Sequence, residues 1–129
     1  MEEKINKGDI FYANLDGAIG SEQKGNRPVV IVQNNTGNKY SPTTIIIPLT
    51  KIINRKNRLP THLNIKKNNK IKSDSTILAE QIRVIDKKRL GNKISSLSEK
   101  EIQVIDDKLK IALGINEKWT SLYIGLFFI

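Results

Sequence analysis

The chain has 129 residues, enough for one domain around one small core, and 22 Lys and Arg outweigh 13 Asp and Glu to leave a formal charge of +9. That excess suits a polyanionic partner. Cysteine is absent, which excludes a disulfide framework, a thiolate nucleophile and a cysteine-ligated zinc site, and fits a reducing cytosol.

The first residues, Met1 to Lys7, carry no apolar stretch of the signal-peptide kind. Asp9 to Leu15 mixes aliphatic and aromatic residues and predicts a first strand. A polar loop of roughly ten residues from Asp16 follows, longer than an ordinary hairpin connection, and loops of that length often carry function. It includes Gly20-Ser21-Glu22-Gln23-Lys24-Gly25 and stops at Arg27-Pro28. Val29 to Val32 is a short β-branched run that reads as a buried strand. Arg27 therefore stands where a loop meets a strand, and its guanidinium can fork onto phosphate or carboxylate oxygens.

Gln33 to Pro42 is dense in turn formers and reads as a polar connection. Thr43 to Thr50, with Ile45-Ile46-Ile47, is a third strand. Lys51 to Arg58 is basic and irregular, either a solvated loop or a phosphate-steering surface. Thr61 to Ile65 predicts a short strand, Lys66 to Lys72 a solvated turn, and Ser75 to Ile85 one long strand. Asp86 caps a single predicted helical turn through Leu90, and Ile94 starts a last strand. Ser98 and Glu101 have capping-box spacing. Ile102, Ile105, Leu109, Ala112 and Leu113 then share one helical face, ended by Gly114. This is the one full helix the pattern predicts. The final segment from Trp119 to Ile129 is almost wholly apolar but, at about half of the roughly 20 residues a membrane span needs, too short to cross. The residues alone leave open whether it covers a surface, joins a dimer contact or extends freely.

Strands with one amphipathic helix predict an α+β fold, mainly β: a small, partly closed antiparallel barrel with a C-terminal helix. So small a sheet has exposed edges, which favours dimerisation. Aromatic residues make up only 5% of the chain, which argues against a multi-base stacking platform. No Walker-type phosphate loop, zinc-finger spacing or helix-turn-helix is present. If the target is RNA, a two-histidine mechanism is excluded because His62 is the sole histidine. Scattered Asp and Glu give poor support to a two-metal site. There remain Arg27 as charge stabiliser, hydroxyls such as Thr50 as donors, and Glu22 as a base.

Five segments in order match one family. Gly8-Asp9-Ile10, Gly20-Ser21-Glu22-Gln23-x-Gly25-x-Arg27-Pro28-Val29-Val30, Pro48-Leu49-Thr50, Leu59-Pro60-Thr61-His62 and Glu80-Gln81-Ile82-Arg83-Val84-Ile85-Asp86 resemble the MazF/PemK toxin endoribonucleases, in particular Gram-positive members. The likeness spans about residues 7–113, so residues 1–114 form the expected domain and 115–129 an apolar extension outside the pattern. It implies an SH3-like barrel of the CcdB/PemK type, a cytoplasmic homodimer, no cofactor or metal, and no membrane partner. It implies cleavage of single-stranded mRNA at a short site, U- and A-rich with a C, to 2′,3′-cyclic phosphate and 5′-hydroxyl ends. It implies a cognate antitoxin of MazE type whose acidic tail would suit the basic surface. By motif, Arg27, Thr50 and Glu22 take the catalytic roles. Ser21, Gln23, Gly25, Asn34, His62, Glu80, Gln81 and Arg83 fall where relatives line the RNA groove. The alternatives from other classes are a module that poisons a protein such as DNA gyrase, and a relative that binds RNA without cutting it.

Overall fold

The computed structural model describes residues 4–51, 59–66, 71 and 73–115. The basic stretch from 52 to 58, most of the Lys/Asn tract and the apolar tail lie outside them. The elements run β1 (Asp9–Asn14), β2 (Asn26–Ile31), α1 (Asn35–Tyr40), β3 (Thr43–Lys51), β4 (His62–Ile65), β5 (Ser75–Leu78), a 3-10 turn (Ala79–Gln81), β6 (Arg83–Asp86), a second 3-10 turn (Lys87–Arg89), β7 (Leu90–Ser96) and α2 (Glu99–Leu113). All ladders are antiparallel, in the order β4-β5-β3-β2-β1-β7, with β6 also on β3.

Both faces of the central strands are covered, so their apolar residues run consecutively instead of alternating. One face gathers Ile10, Val30, Ile47, Leu49 and Ile77 against Ile105 of α2. The other gathers Phe11, Ala13, Leu15, Val29, Ile31, Ile46 and Ile85. Irregular register between β1 and β7 bends the sheet, as bulges do. The sheet does not close: no ladder joins β7 to β6 or β4 among the described residues, and the Lys87–Arg89 turn spans β6 to β7 instead. The expected partial barrel is thus a curled open sheet.

Two prolines shape the region that matters most. Val32 N–H donates to Ile45 O, so by antiparallel alternation the amide positions of residues 30 and 28 also face β3. Residue 28 is proline and has no N–H, and the β2–β3 ladder ends at Val29–Pro48. The same alternation turns the amide position of Pro48 to the opposite edge of β3. There the outer strand breaks: from the Leu49–Ile77 pair to the Ile46–Arg83 pair, three steps on β3 face six on the outer strand. The surplus is the 3-10 turn Ala79–Gln81. The single long strand expected over Ser75–Ile85 is therefore two strands and a turn, because the central strand offers no donor at Pro48.

The polar connection after β2 also differs from expectation, since it contains α1. Asn34 caps it, accepting from Gly37 N. Buried Asn38 fixes it: its Oδ1 accepts from Thr44 Oγ1 at 2.8 Å and its Nδ2 donates to Gln33 O at 2.9 Å. Asp86 caps the Lys87–Arg89 turn through Lys88 N, as expected, and β7 starts four residues earlier than Ile94. The capping box of Ser98 and Glu101 is present, and α2 ends at Gly114 in the left-handed conformation.

Candidate active site

Arg27 sits at the start of β2 opposite Ala13, so it belongs to the sheet face that carries Phe11, Ala13 and Val29. Thr50 lies near the end of β3 on the same face, in line with Ile46 and Pro48. Continued two residues past its last pair, the β2–β3 register brings Arg27 abreast of Thr50. The missing amide at Pro28 leaves this end of β2 and β3 without a ladder between them. Arg27 Nε donates to Lys24 O at 2.7 Å. That bond uses the inner edge of the guanidinium, and its two Nη atoms have no partner among the described residues. The group is half-buried and held by one side of its fork.

Polar side chains continue along this face across β5 and β4. Thr50 pairs with Thr76, whose Oγ1 donates to Asn64 Oδ1 at 2.6 Å. His62, two residues before Asn64 on β4, shares the face. Its Nδ1 accepts from Leu59 N at 3.2 Å, which assigns the proton to Nε2. Nε2 then donates to Glu80 Oε2 at 3.0 Å. The other Glu80 oxygen accepts from Thr61 Oγ1 at 2.8 Å. Burial alone would push the Glu80 carboxyl up, but the bonds from His62, Thr61 and its own amide outweigh it and hold it below its ordinary value.

The next residue, Gln81, turns to the loop that leads to Arg27. Gln81 Oε1 accepts from Gln23 N at 2.8 Å and its Nε2 donates to Ser21 O at 3.3 Å. Within the loop, Glu22 Oε1 accepts from Ile19 N at 3.1 Å, so this exposed carboxylate caps a turn. Gly25 O accepts from Leu15 N at 2.8 Å where the loop closes. Arg89 Nη1 donates to the carbonyls of Asn14 and Asp16 and braces the loop's first residues.

The structure thus brings together Ser21, Gln23 and Gln81, and separately joins His62 to Glu80. Gly25 stands two residues before Arg27 in the chain. Asn34 is different: it lies past the opposite end of β2, seven residues from Arg27 and about 20 Å along an extended chain, where it caps α1. Arg83 pairs with Ile46, and its Nη1, like Gln23 Oε1, is buried without a partner among the described residues. Thr61, Asn64, Thr76 and Arg89 were not among the expected site residues. The alternation of His62 with Asn64 was a usable signal for the second of these, whereas nothing local points to Arg89. Among the described residues no three His, Asp or Glu gather to hold a metal ion, and no helix is long and apolar enough to cross a membrane.

Residues 6–113 match the family of PemK-like, MazF-like toxins of type II toxin–antitoxin systems. Among solved structures, MazF from Deinococcus radiodurans is 19% identical, with a TM-score of 0.75 over 88% of this chain and 99% of that one. An endoribonuclease in complex with its cognate antitoxin, from a mycobacterial species, is 20% identical, with a TM-score of 0.71 over 87% of this chain and 97% of that one. The Mycobacterium tuberculosis toxin MazF-mt6 is 18% identical, with a TM-score of 0.69 over 84% and 98%. These likenesses show a shared fold: an antiparallel sheet of seven strands with a C-terminal helix. With the family match covering most of its length, the chain belongs to the PemK-like, MazF-like toxins of type II toxin–antitoxin systems.

Proposed function

We propose that the chain is an endoribonuclease that cleaves single-stranded mRNA without a metal ion. The supporting observation is that Arg27 and Thr50 share one sheet face and come abreast when the β2–β3 register is continued past its last pair, with no partner for the outer edge of the guanidinium among the described residues. In this reading the ribose 2′-hydroxyl attacks the adjacent phosphorus. The P–O2′ bond forms, the P–O5′ bond breaks, and the products are a 2′,3′-cyclic phosphate and a 5′-hydroxyl. The 2′-proton leaves to a base and the 5′-oxygen takes one up. Charge builds on the phosphoryl oxygens in between, and the fork of Arg27 meets it there. Thr50 donates its hydroxyl to the same phosphate. Glu22 is the acid–base group, and RNA binding would free it from the Ile19 amide.

The toxin acts in the cytoplasm as a homodimer and is silenced by a cognate antitoxin of MazE type, whose acidic segment answers the +9 charge. The test is incubation with long RNA in EDTA, with end mapping of the products. Discrete fragments with cyclic phosphate ends are expected. Arg27→Ala lowers the cleavage rate by about 10²–10³, as loss of one preplaced oxyanion donor does. Arg27→Lys also performs poorly, because a point charge lacks the planar fork. Intact RNA accompanied by inhibited gyrase replaces this reading with protein poisoning, and salt-sensitive binding without cleavage replaces it with RNA binding alone.

A further inference from the structure

We propose that Gln81 is a positioning residue whose carboxamide latches the Asp16–Gly25 loop and thereby sets the direction of the Arg27 guanidinium. The inference rests on the reading of Arg27 as the phosphate ligand. The loop tip is otherwise thinly held: Ile19 is 77% exposed, and Gly20, Ser21 and Glu22 are exposed. The Glu22–Ile19 bonds are internal to the loop, and Arg89 and Leu15 secure only its base. Apart from the Arg27–Lys24 bond, the only hydrogen bonds from the tip to another element, among the described residues, end on Gln81. A carboxamide supplies one acceptor and one donor, and Gln81 spends them on Gln23 N–H and Ser21 C=O, two backbone groups two residues apart.

The anchor itself is firm. The Ala79–Gln81 turn exists because Pro48 breaks the ladder beside it, and Ala79 N donates to Thr61 O at 3.2 Å. Glu80 ties it to Thr61 and His62, and α2 packs against it. The next residue after Gln23 is Lys24, whose carbonyl accepts from Arg27 Nε. Fixing Gln23 therefore fixes the acceptor that orients the guanidinium. Without the latch, Lys24 O moves with the loop and the fork turns away from the face it shares with Thr50. Precise placement of a charged donor decides its catalytic worth, so a shift of this kind lowers turnover without weakening RNA binding.

The experiment compares wild type with Gln81→Ala and with Gln81→Met, which keeps length but has neither hydrogen-bonding atom. NMR hydrogen exchange reads the Gln23 backbone amide and the Arg27 Nε–H in the free protein. Both are expected to exchange about tenfold faster in each variant, the loss of one net hydrogen bond. Cleavage of a defined RNA then shows kcat lower by about tenfold with KM and cleavage sites kept. Both polar ends of the Gln81 carboxamide are engaged by the loop, so Gln81 acts through the loop instead of contacting RNA itself, as the family resemblance had implied it would. In an Arg27→Ala background the Gln81 substitution adds nothing further. Should Gln81→Ala fold poorly by circular dichroism, Gln81→Met carries the measurement. Unchanged exchange at Gln23 overturns the latch, and fast exchange at Gln23 with unchanged Arg27 Nε–H overturns its link to the guanidinium. A raised KM with relaxed cleavage sites and intact kcat overturns it as well, by making Gln81 a direct RNA contact. The exchange data stand whether or not the protein cuts RNA, so failure of the nuclease reading shows only in the cleavage arm.

Discussion

Gly8 joins the N-terminal segment to the seat of α2, and Gly8→Ala should destabilise the fold by about 3.5 kcal/mol through two separable costs. Gly8 N donates to Ile31 O at 2.7 Å and Gly8 O accepts from Leu97 N at 2.9 Å, so its backbone is fixed on both sides. Its φ is 93°, where an L side chain costs about 1–2 kcal/mol. An added Cβ would also lie 2.4 Å from Ile102 Cδ1 and 2.8 Å from Ile102 Cγ1. Moving only the tip of Ile102 does not relieve the second contact, and a β-branched residue in a helix is stiff at χ1. Overpacking of this kind adds about 2 kcal/mol. Gly17 supplies the control: it has the same φ of 93°, and a Cβ added there would meet nothing within 4 Å. At about 4 °C per kcal/mol for a chain of this size, Gly8→Ala melts about 14 °C lower and Gly17→Ala about 6 °C lower. Calorimetry with a double-mutant cycle against Ile102→Ala should recover about 1–2 kcal/mol of coupling. Equal melting losses for Gly8→Ala and Gly17→Ala, or zero coupling to Ile102, refute the steric account. The result bears on the site, because α2 packs against β4 and the Ala79–Gln81 turn.

Glu80→Gln should flatten the acid limb of stability. A carboxyl held below its ordinary value of 4.5 stabilises the fold above that pH, and the advantage is lost as pH falls through the folded value. Urea midpoints of wild type and variant therefore differ at neutral pH and converge in acid; a constant gap contradicts the clasp, and partial exposure keeps the gap small, under about 1 kcal/mol. Thr50→Val, nearly isosteric at a half-buried position, should leave melting within a few degrees and slow RNA cleavage by about tenfold or more, the worth of one hydrogen bond to a charged group. Unaltered cleavage by that variant removes Thr50 from the mechanism. Ser98→Ala breaks the capping box of α2 and should cost about 1 kcal/mol in denaturant unfolding, whereas Ser95→Ala on β7 serves as a neutral comparison.

Local signals located most elements. β1 and β3 stand within a residue of expectation, and the capping box placed the start of α2 because Ser98 and Glu101 satisfy each other's backbone within one turn. Helix α1 was hidden, since apart from Lys39 its residues, Asn, Thr, Gly, Asn and Tyr, are middling to poor helix formers. Its conformation is imposed by the buried amide of Asn38 bonding to Gln33 and Thr44, contacts that exist only once β2 and β3 have paired.

The order of residues by itself determined the family, the strand-rich class, the capped helix and the candidacy of Arg27 and Thr50, because each of these is carried by neighbouring residues or by motifs in fixed order. Only the tertiary structure decided that residues 75 to 85 break at a turn and that this turn grips the loop before Arg27. The cause lies in Pro48, roughly thirty positions upstream, whose absent amide proton acts across strands rather than along the chain.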